Sequence, residues 1–475
     1  MCKLYSVLVV AAALAGSGCK LTLVTPAEGG LISQSGAYSC DASQSCTIDV
    51  TDSFFHETFV AWPQDGFVFS RWRQRDRGLC GGSALPCVLS TEGFDQNDTL
   101  LALLEDPSEE FFLEPAFSVP RQTDEITLSG ERTLSGFGNT WELNFYRNLT
   151  YACGLSGNYT FLVVEPANSP GAEAPLWVYL HGGGVGYFAS PGDYRSINNN
   201  ANAWNREETF DDLVDRQLLA RVFTQAGVLK DATITRRIEE GYRLLIVSMC
   251  DHDLYSGIGT TYPNNPGAQT NGLQATMAAV DFTVEHFPTS HVIAHGTSAG
   301  SVGVFSLASA YALEDVYLTA VVADSYIVSP RLEPLFDSLA GVEGFPFAET
   351  FDINGAVDKI GFYIDLAKGA DPETRIDAGF DEVPVLFTGG DADQFCGGLP
   401  NMEAIPEALA NGLGNCDYLY DGIRQAISGQ LDSPHQVTLV PGAGHTPTTS
   451  SPLASDVVDD FVQAVLAADP DFPFQ

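Results

Sequence analysis

The sequence predicts an α/β domain built on a mostly parallel sheet with lid insertions, preceded by a small β-rich domain. Three features of its 475 residues lead there. From "YTFLVVEP" onward, near-continuous apolar runs recur at "PLWVYLHGG", "YRLLIVSMC", "HVIAHGTS", "YLTAVVADS", "VPVLFTGGD" and "HQVTLVPGAG". A strand covered on both faces reads this way, whereas a strand with one wet face alternates. Between these runs lie segments such as "NGLQATMAAVDFTVEHF" and "DVVDDFVQAVLAA", whose apolar positions recur near the 3.6 period of a helix. Ahead of them, up to about Phe117, the chain holds only short β-type runs broken by Gly, Ser and Asp turns. Strands alternating with helices give a parallel sheet with both faces covered, and in such a sheet functional residues sit just past the carboxyl ends of the strands.

In chain order, "MCKLYSVLVVAAALAGSGCK" opens with Lys3, an apolar run from Leu4 to Leu14 and then small residues, which predicts a bacterial secretory leader over 1–19. It is too short to span a bilayer as a mature helix. The ending "AGSGC" resembles a lipoprotein processing site, with Cys19 as the lipidated residue; such sites usually carry Leu where Gly16 stands, so a lipid anchor and simple release both remain open. Residues 20–117 are expected to form the β-rich module, through "KLTLVTP", "CTIDV", "ETFVAWP" and "TLLALLE". The succession "TPAEGGLIS", "CTIDV", "PQDGFVFSRWRQ" and "PCVLS" resembles the InlB-type B-repeat of bacterial surface proteins. That resemblance implies a β-grasp-like core receiving Phe67, Phe69 and Trp72, and a spacer or adhesion role. The basic cluster "RWRQRDR" at 71–77 reads as a solvated hairpin end or as a contact for an anionic polymer. Residues 118–135 are polar and contain Pro120, which places a linker there. The α/β domain follows over 136–475.

Composition narrows the partners. A formal charge of −39 and a pI near 4.2 argue against nucleic acid or an anionic membrane, since a polyanion would be repelled. The acidity reads equally as adaptation to salt, weak binding of a divalent cation, or ordinary drift. Leaving aside Cys2 and Cys19, eight cysteines remain, an even number that suits disulfides in an exported chain. Short loops suggest Cys40–Cys46, Cys80–Cys87 and Cys396–Cys416, which leaves Cys153 to pair with Cys250. No Cys-x-x-Cys or clustered Cys/His spacing suggests a metal site.

Four candidates for chemistry stand at strand ends. Gly182, Gly183 and Gly184 follow "LWVYL", and a turn without side chains can aim backbone N–H groups at a developing negative oxygen. Next, Gly296-x-Ser298-x-Gly300 lies between an apolar strand and a small-residue helix, where a tight turn would expose Ser298 and the N–H of Ala299 would serve as a second oxyanion donor. Third, "TGGDADQF" offers Asp393, with Asp391 as second choice for an acid; fourth, "PGAGHTP" offers His445. A serine hydroxyl needs a base, and the base needs a carboxylate to fix its tautomer, so Ser298, Asp393 and His445 supply the parts of an acyl-transfer site. No organic cofactor is called for. Asp324, ending "AVVADS", reads either as a supporting residue or as a turn-forming Asp.

The order Ser, Asp, His, together with the Gly-rich loop, resembles the α/β-hydrolase family from about residue 136 onward. That resemblance implies an exported carboxylic-ester hydrolase acting on a small molecule or an acylated polymer, with His181 orienting the oxyanion loop of a His-Gly-Gly-Gly esterase. "VSMCDHDLYSG", "HGTSAGS" and "AVVADSYI" are similar to the pectin acetylesterase and Notum-like carboxylesterases, from which the chain departs in carrying Ser301 for a Gly. A serine peptidase or amidase on the same fold is the alternative enzyme; a surface binding protein with an inactive hydrolase domain is the alternative of another class. Two insertions, 187–240 and 329–380, are expected to cover the site, the second bringing Phe336, Phe345, Phe347, Phe351, Phe362 and Tyr363.

Overall fold

The computed structural model describes residues 18–136, 139–167, 169–184, 186–196, 206–219, 233–262, 265–312, 314, 316–326, 383–393, 416–428 and 436–468. The chain divides into two compact units, Met1–Ser118 and Val119–Gln475.

In the first unit, Cys19–Val24 pairs antiparallel with Ser45–Val50 and parallel with Glu110–Leu113. A second sheet runs in the order Ser39–Cys40, Gly29–Ser33, His56–Pro63 and Cys87–Ser90. Leu21, Leu23, Leu31, Phe59, Trp72 and Leu113 belong to its core. The indole N–H of Trp72 donates to the Leu85 carbonyl at 2.7 Å, as a buried indole requires. Phe69 packs edge-on against Trp72, while Phe67 is half-buried. Contrary to expectation, "TLLALLE" lies largely in a helix, Asp98–Leu104. The Asn97 side chain accepts the N–H groups of Thr99 and Leu100, and a run of Leu and Ala behind such a cap favours helix over strand. The basic cluster is largely neutralised within the unit, with Arg73 and Arg75 on Glu114 at 2.9 Å and Arg77 on Glu109 at 2.7 Å.

The second unit is built on nine strands: β1 (Ile126–Gly136), β2 (Asn139–Ala152), β3 (Asn158–Val164), β4 (Ala174–Leu180), β5 (Arg243–Val247), β6 (Thr289–Thr297), β7 (Ala320–Asp324), β8 (Val385–Gly390) and β9 (Gln436–Val440). Their order across the sheet is β1-β2-β3-β5-β4-β6-β7-β8-β9, antiparallel from β1 through the β3/β5 pair and parallel among β4 to β9. Strand β1 occupies the stretch 126–135 that the sequence assigned to a linker. Among the described residues it is an edge strand bonded only to β2, so its polar residues face water and no apolar run marks it.

The helices cover both faces. α1 (Thr233–Glu239) and α5 (Pro452–Ala468) put Ile234, Ile238, Val458, Phe461 and Val462 against Trp177, Tyr179, Leu244 and Ile246. On the opposite face α2 (Gly272–His286) packs on β3 and β5, and α3 (Ala299–Ala312) packs on β4, β6 and β7. α4 (Cys416–Ser428) lies along β9. At the amino end of β5, the buried Arg243 donates to Glu165 and to the carbonyls of Pro288 and Ala172. Arg243→Ala leaves the Glu165 carboxylate buried without its cation and is expected to lower unfolding stability by about 3–5 kcal/mol, read by urea titration.

Disulfides join Cys40–Cys46, Cys80–Cys87 and Cys153–Cys250, and Cys416 is also disulfide-bonded. Cys396, its expected partner, lies outside the described residues, as do the aromatics of the 329–380 insertion and the leader through residue 17.

Candidate active site

The chain leaves β6 at Thr297 and enters α3 at Ala299, so one residue, Ser298, makes the turn, with φ of 53°. A non-glycine residue in the left-handed region is strained and is held there by its surroundings. Here the Ser298 N–H donates to the Asp324 carbonyl at 2.9 Å, and its carbonyl accepts both the N–H and the hydroxyl of Ser301. Ser301 therefore braces the turn in a way that glycine could not. The flanking glycines are needed because backbone crosses backbone. A Cβ on Gly296 would stand 1.9 Å from the Gly300 carbonyl oxygen, and one on Gly300 would stand 1.9 Å from that of Leu180. Gly300→Ala is accordingly expected to cost about 3 kcal/mol of stability or more, measured by chemical denaturation.

The Gly-rich loop after β4 lies beside this turn. A Cβ on Gly182 would meet the Ser298 Cβ at 2.8 Å. The Gly182 N–H, expected as an oxyanion donor, is instead engaged by the Thr297 hydroxyl at 3.2 Å, and that hydroxyl is 3.0 Å from the Tyr179 hydroxyl. Gly182 thus serves close approach, and the remaining expected donors are the N–H groups of Gly183, Gly184 and Ala299. As the first residue of α3, Ala299 has no acceptor for its N–H within the helix.

His181, to which the family resemblance pointed, holds this loop together with residues that sequence reasoning did not single out. His181 lies 2.9 Å from the Gly182 carbonyl through Nδ1 and 3.0 Å from Glu208 through Nε2. Burial works against a charge on Glu208, yet His181 and the Met249 N–H outweigh it and hold the carboxyl below its usual range. Beneath Gly183 lies the turn after β5. There Asp251 accepts the N–H groups of Gly154 and Asn271, and Asp253 accepts those of Tyr255, Gly257 and Gly272. Burial, and then the neighbouring Asp253, push the Asp251 carboxyl well above its usual range. The Tyr255 hydroxyl donates to the His181 carbonyl at 3.2 Å. His252 packs against the Gly183 position, and burial lowers its imidazole pKa to about 4, so it is neutral near pH 7.

His445 Nδ1 lies 2.7 Å from Asp393 Oδ2, with Asp393 buried and His445 partly open to solvent. With Nδ1–H donated to the carboxylate, Nε2 is the basic nitrogen. The second-choice acid, Asp391, is exposed and turned elsewhere, accepting the Gly442 N–H at 2.6 Å. The turns after β8 and β9 are tied by Ala392 N–H to the Ala443 carbonyl at 3.0 Å. A Cβ on Gly390 would stand 2.0 Å from that same oxygen. Among the described residues no group of His, Cys, Asp and Glu side chains is arranged to hold a metal ion.

No family model matches the chain, and no curated protein matches it. Similar solved structures include an S-formylglutathione hydrolase from Agrobacterium tumefaciens, at 15% identity and TM-score 0.40, covering 71% of this chain and 100% of that one. Est1E from Butyrivibrio proteoclasticus is similar at 16% identity and TM-score 0.32, covering 71% and 100%. The poly(3-hydroxybutyrate) depolymerase LpqC from Bordetella parapertussis is similar at 18% identity and TM-score 0.32, covering 73% and 92%. What the site can do therefore rests on its own geometry. A strained serine beside a glycine loop and a helix start, with an imidazole held by a buried carboxylate at the same sheet edge, is equipped for acyl transfer.

Proposed function

We propose that the protein is a serine ester hydrolase of the α/β-hydrolase type that works outside the cytoplasm. Ser298 Oγ attacks the ester carbonyl while His445 Nε2 takes its proton. Asp393 keeps the imidazole in the required tautomer and stabilises the imidazolium. The N–H groups of Ala299 and of the Gly183–Gly184 loop receive the oxyanion. His445 then protonates the departing alcohol, and water activated by the same imidazole releases the acyl group from Ser298.

The observation that carries this reading is the pairing of His445 with Asp393 at 2.7 Å on the sheet edge where Ser298 makes its left-handed turn. The turn after β5 suits an O-acyl deacylase of the pectin acetylesterase or Notum-like kind, from which the elbow departs at Ser301, with the first unit as a spacer or binding module. The disulfides fit an oxidising compartment, and no described helix is long and apolar enough to cross a membrane. Export through the 1–19 leader completes the reading. Mass spectrometry of the mature amino terminus separates a lipid-anchored chain starting at Cys19 from a released one. A fluorophosphonate probe is expected to label Ser298 in folded protein, and acetyl, longer acyl and aromatic esters are expected to turn over faster than matched amides. Folded protein that resists the probe would leave the binding-protein reading standing.

A further inference from the structure

His445 and Ser298 start from strands three apart in the sheet, β9 and β6. At about 4.8 Å per strand the loop after β9 has roughly 14 Å to cover before an imidazole can serve the serine. The contact with Asp393, in the turn after the neighbouring β8, carries it only part of the way. The rest of the crossing is held by residues outside the triad. Thr448 reaches the end of β7, where its N–H donates to Asp324 Oδ2 at 3.1 Å and its hydroxyl donates to the same oxygen. That hydroxyl also lies 3.1 Å from His295 Nε2, on β6. One residue on from Asp324, the Ser325 hydroxyl accepts the Thr446 N–H at 2.7 Å. Asp324 meanwhile receives the Ser298 N–H on its backbone carbonyl.

We infer that Asp324 is a positioning residue, whose carboxylate latches the His445 loop across the sheet edge onto the turn that carries Ser298. The inference rests on the hydrolase reading above for its catalytic consequence, though not for the latch itself. Both Asp324 and Thr448 are wholly buried. Burial raises the Asp324 carboxyl to about 7, although the Thr448 bonds and His445 pull the other way. Bonds of Asp324 run to different halves of the site, one through the backbone to Ser298 and two through the side chain to Thr448 in the loop of His445. A displacement of that loop by about 1 Å is enough to lower turnover about a hundredfold without touching substrate contacts.

The test compares Asp324→Ala, Asp324→Asn and Thr448→Val in the full chain. In Asp324→Ala, kcat on a short acyl ester is expected to fall about a hundredfold with KM within about twofold, because loop placement and not substrate binding is lost. Asp324→Asn, whose amide oxygen can still accept from Thr448, is expected to recover most of that loss. Thr448→Val removes one hydroxyl at constant shape and is expected to lower kcat about tenfold; it decides the matter if Asp324→Ala does not fold. Amide exchange over residues 445–450 needs no substrate and is expected to quicken in Asp324→Ala and Thr448→Val. Wild-type kcat and exchange in a folded Asp324→Ala or Thr448→Val variant, or a loss that Asp324→Asn does not recover, would overturn the inference. If the unaltered protein shows no turnover that depends on Ser298, the hydrolase reading fails, while the exchange result still decides the latch.

Discussion

Ser298→Ala is expected to lower kcat on a short acyl ester by about 10⁴- to 10⁶-fold and to abolish fluorophosphonate labelling, with the melting temperature nearly unchanged. The two halves of that expectation have different origins. In the proposed mechanism the loss of turnover follows from removing the atom that forms the acyl intermediate, after which the oxyanion donors alone can offer a residual acceleration. The retained stability follows from what holds the elbow. Its bonds to Asp324 and Ser301 use the N–H and carbonyl of residue 298, not its hydroxyl, so alanine keeps them. The left-handed φ of 53° strains Ser and Ala alike. Turnover that survives in the folded variant would remove Ser298 from the mechanism, whatever its place in the fold.

Legibility in the sequence tracks the range of the interaction. The strand, turn and helix around Ser298 could be read because much of the requirement is local: Gly296 is demanded by the backbone of Gly300 four residues on, and an apolar run must precede the turn, whereas the crossing that demands Gly300 comes from Leu180 in a distant segment. Glu208 could not be read, because its partner His181 lies in another segment and nothing in "NREETF" marks one carboxylate among neighbours of the same type. Thr448 was hidden in the same way, since it answers Asp324 from a separation of 124 residues. Asp251 and Asp253 look like surface residues by composition, yet five backbone N–H groups turn them inward. Gly182 was assigned by its motif to the oxyanion donors, and only the position of the Thr297 hydroxyl gives its N–H another acceptor. Strand β1 escaped because an edge strand has no buried face on both sides to fill with Val, Ile and Leu.

Asp393→Asn is expected to lower kcat about 10⁴-fold, whereas Asp391→Asn should change it by less than about tenfold. The contrast turns on which group faces Nδ1. Asp393 accepts the Nδ1 proton of His445 at 2.7 Å, so Nε2 carries the lone pair that a serine proton needs. An amide at 393 can offer an N–H to Nδ1, which favours the tautomer with its proton on Nε2. In that tautomer the base is already occupied on the side of the nucleophile. The amide also carries no charge to stabilise the imidazolium that forms as Ser298 attacks, so both contributions of the acid are lost while its shape is kept. Asp391 has neither contact. Its carboxylate closes the turn at Gly442, and the oxygen of an Asn would still accept that N–H. Single-turnover hydrolysis of an activated ester separates the two variants before product release can mask the chemical step. Were Asp391→Asn to carry the large loss and Asp393→Asn the small one, the acid would have to be reassigned and the loop after β9 would have to rearrange on substrate binding.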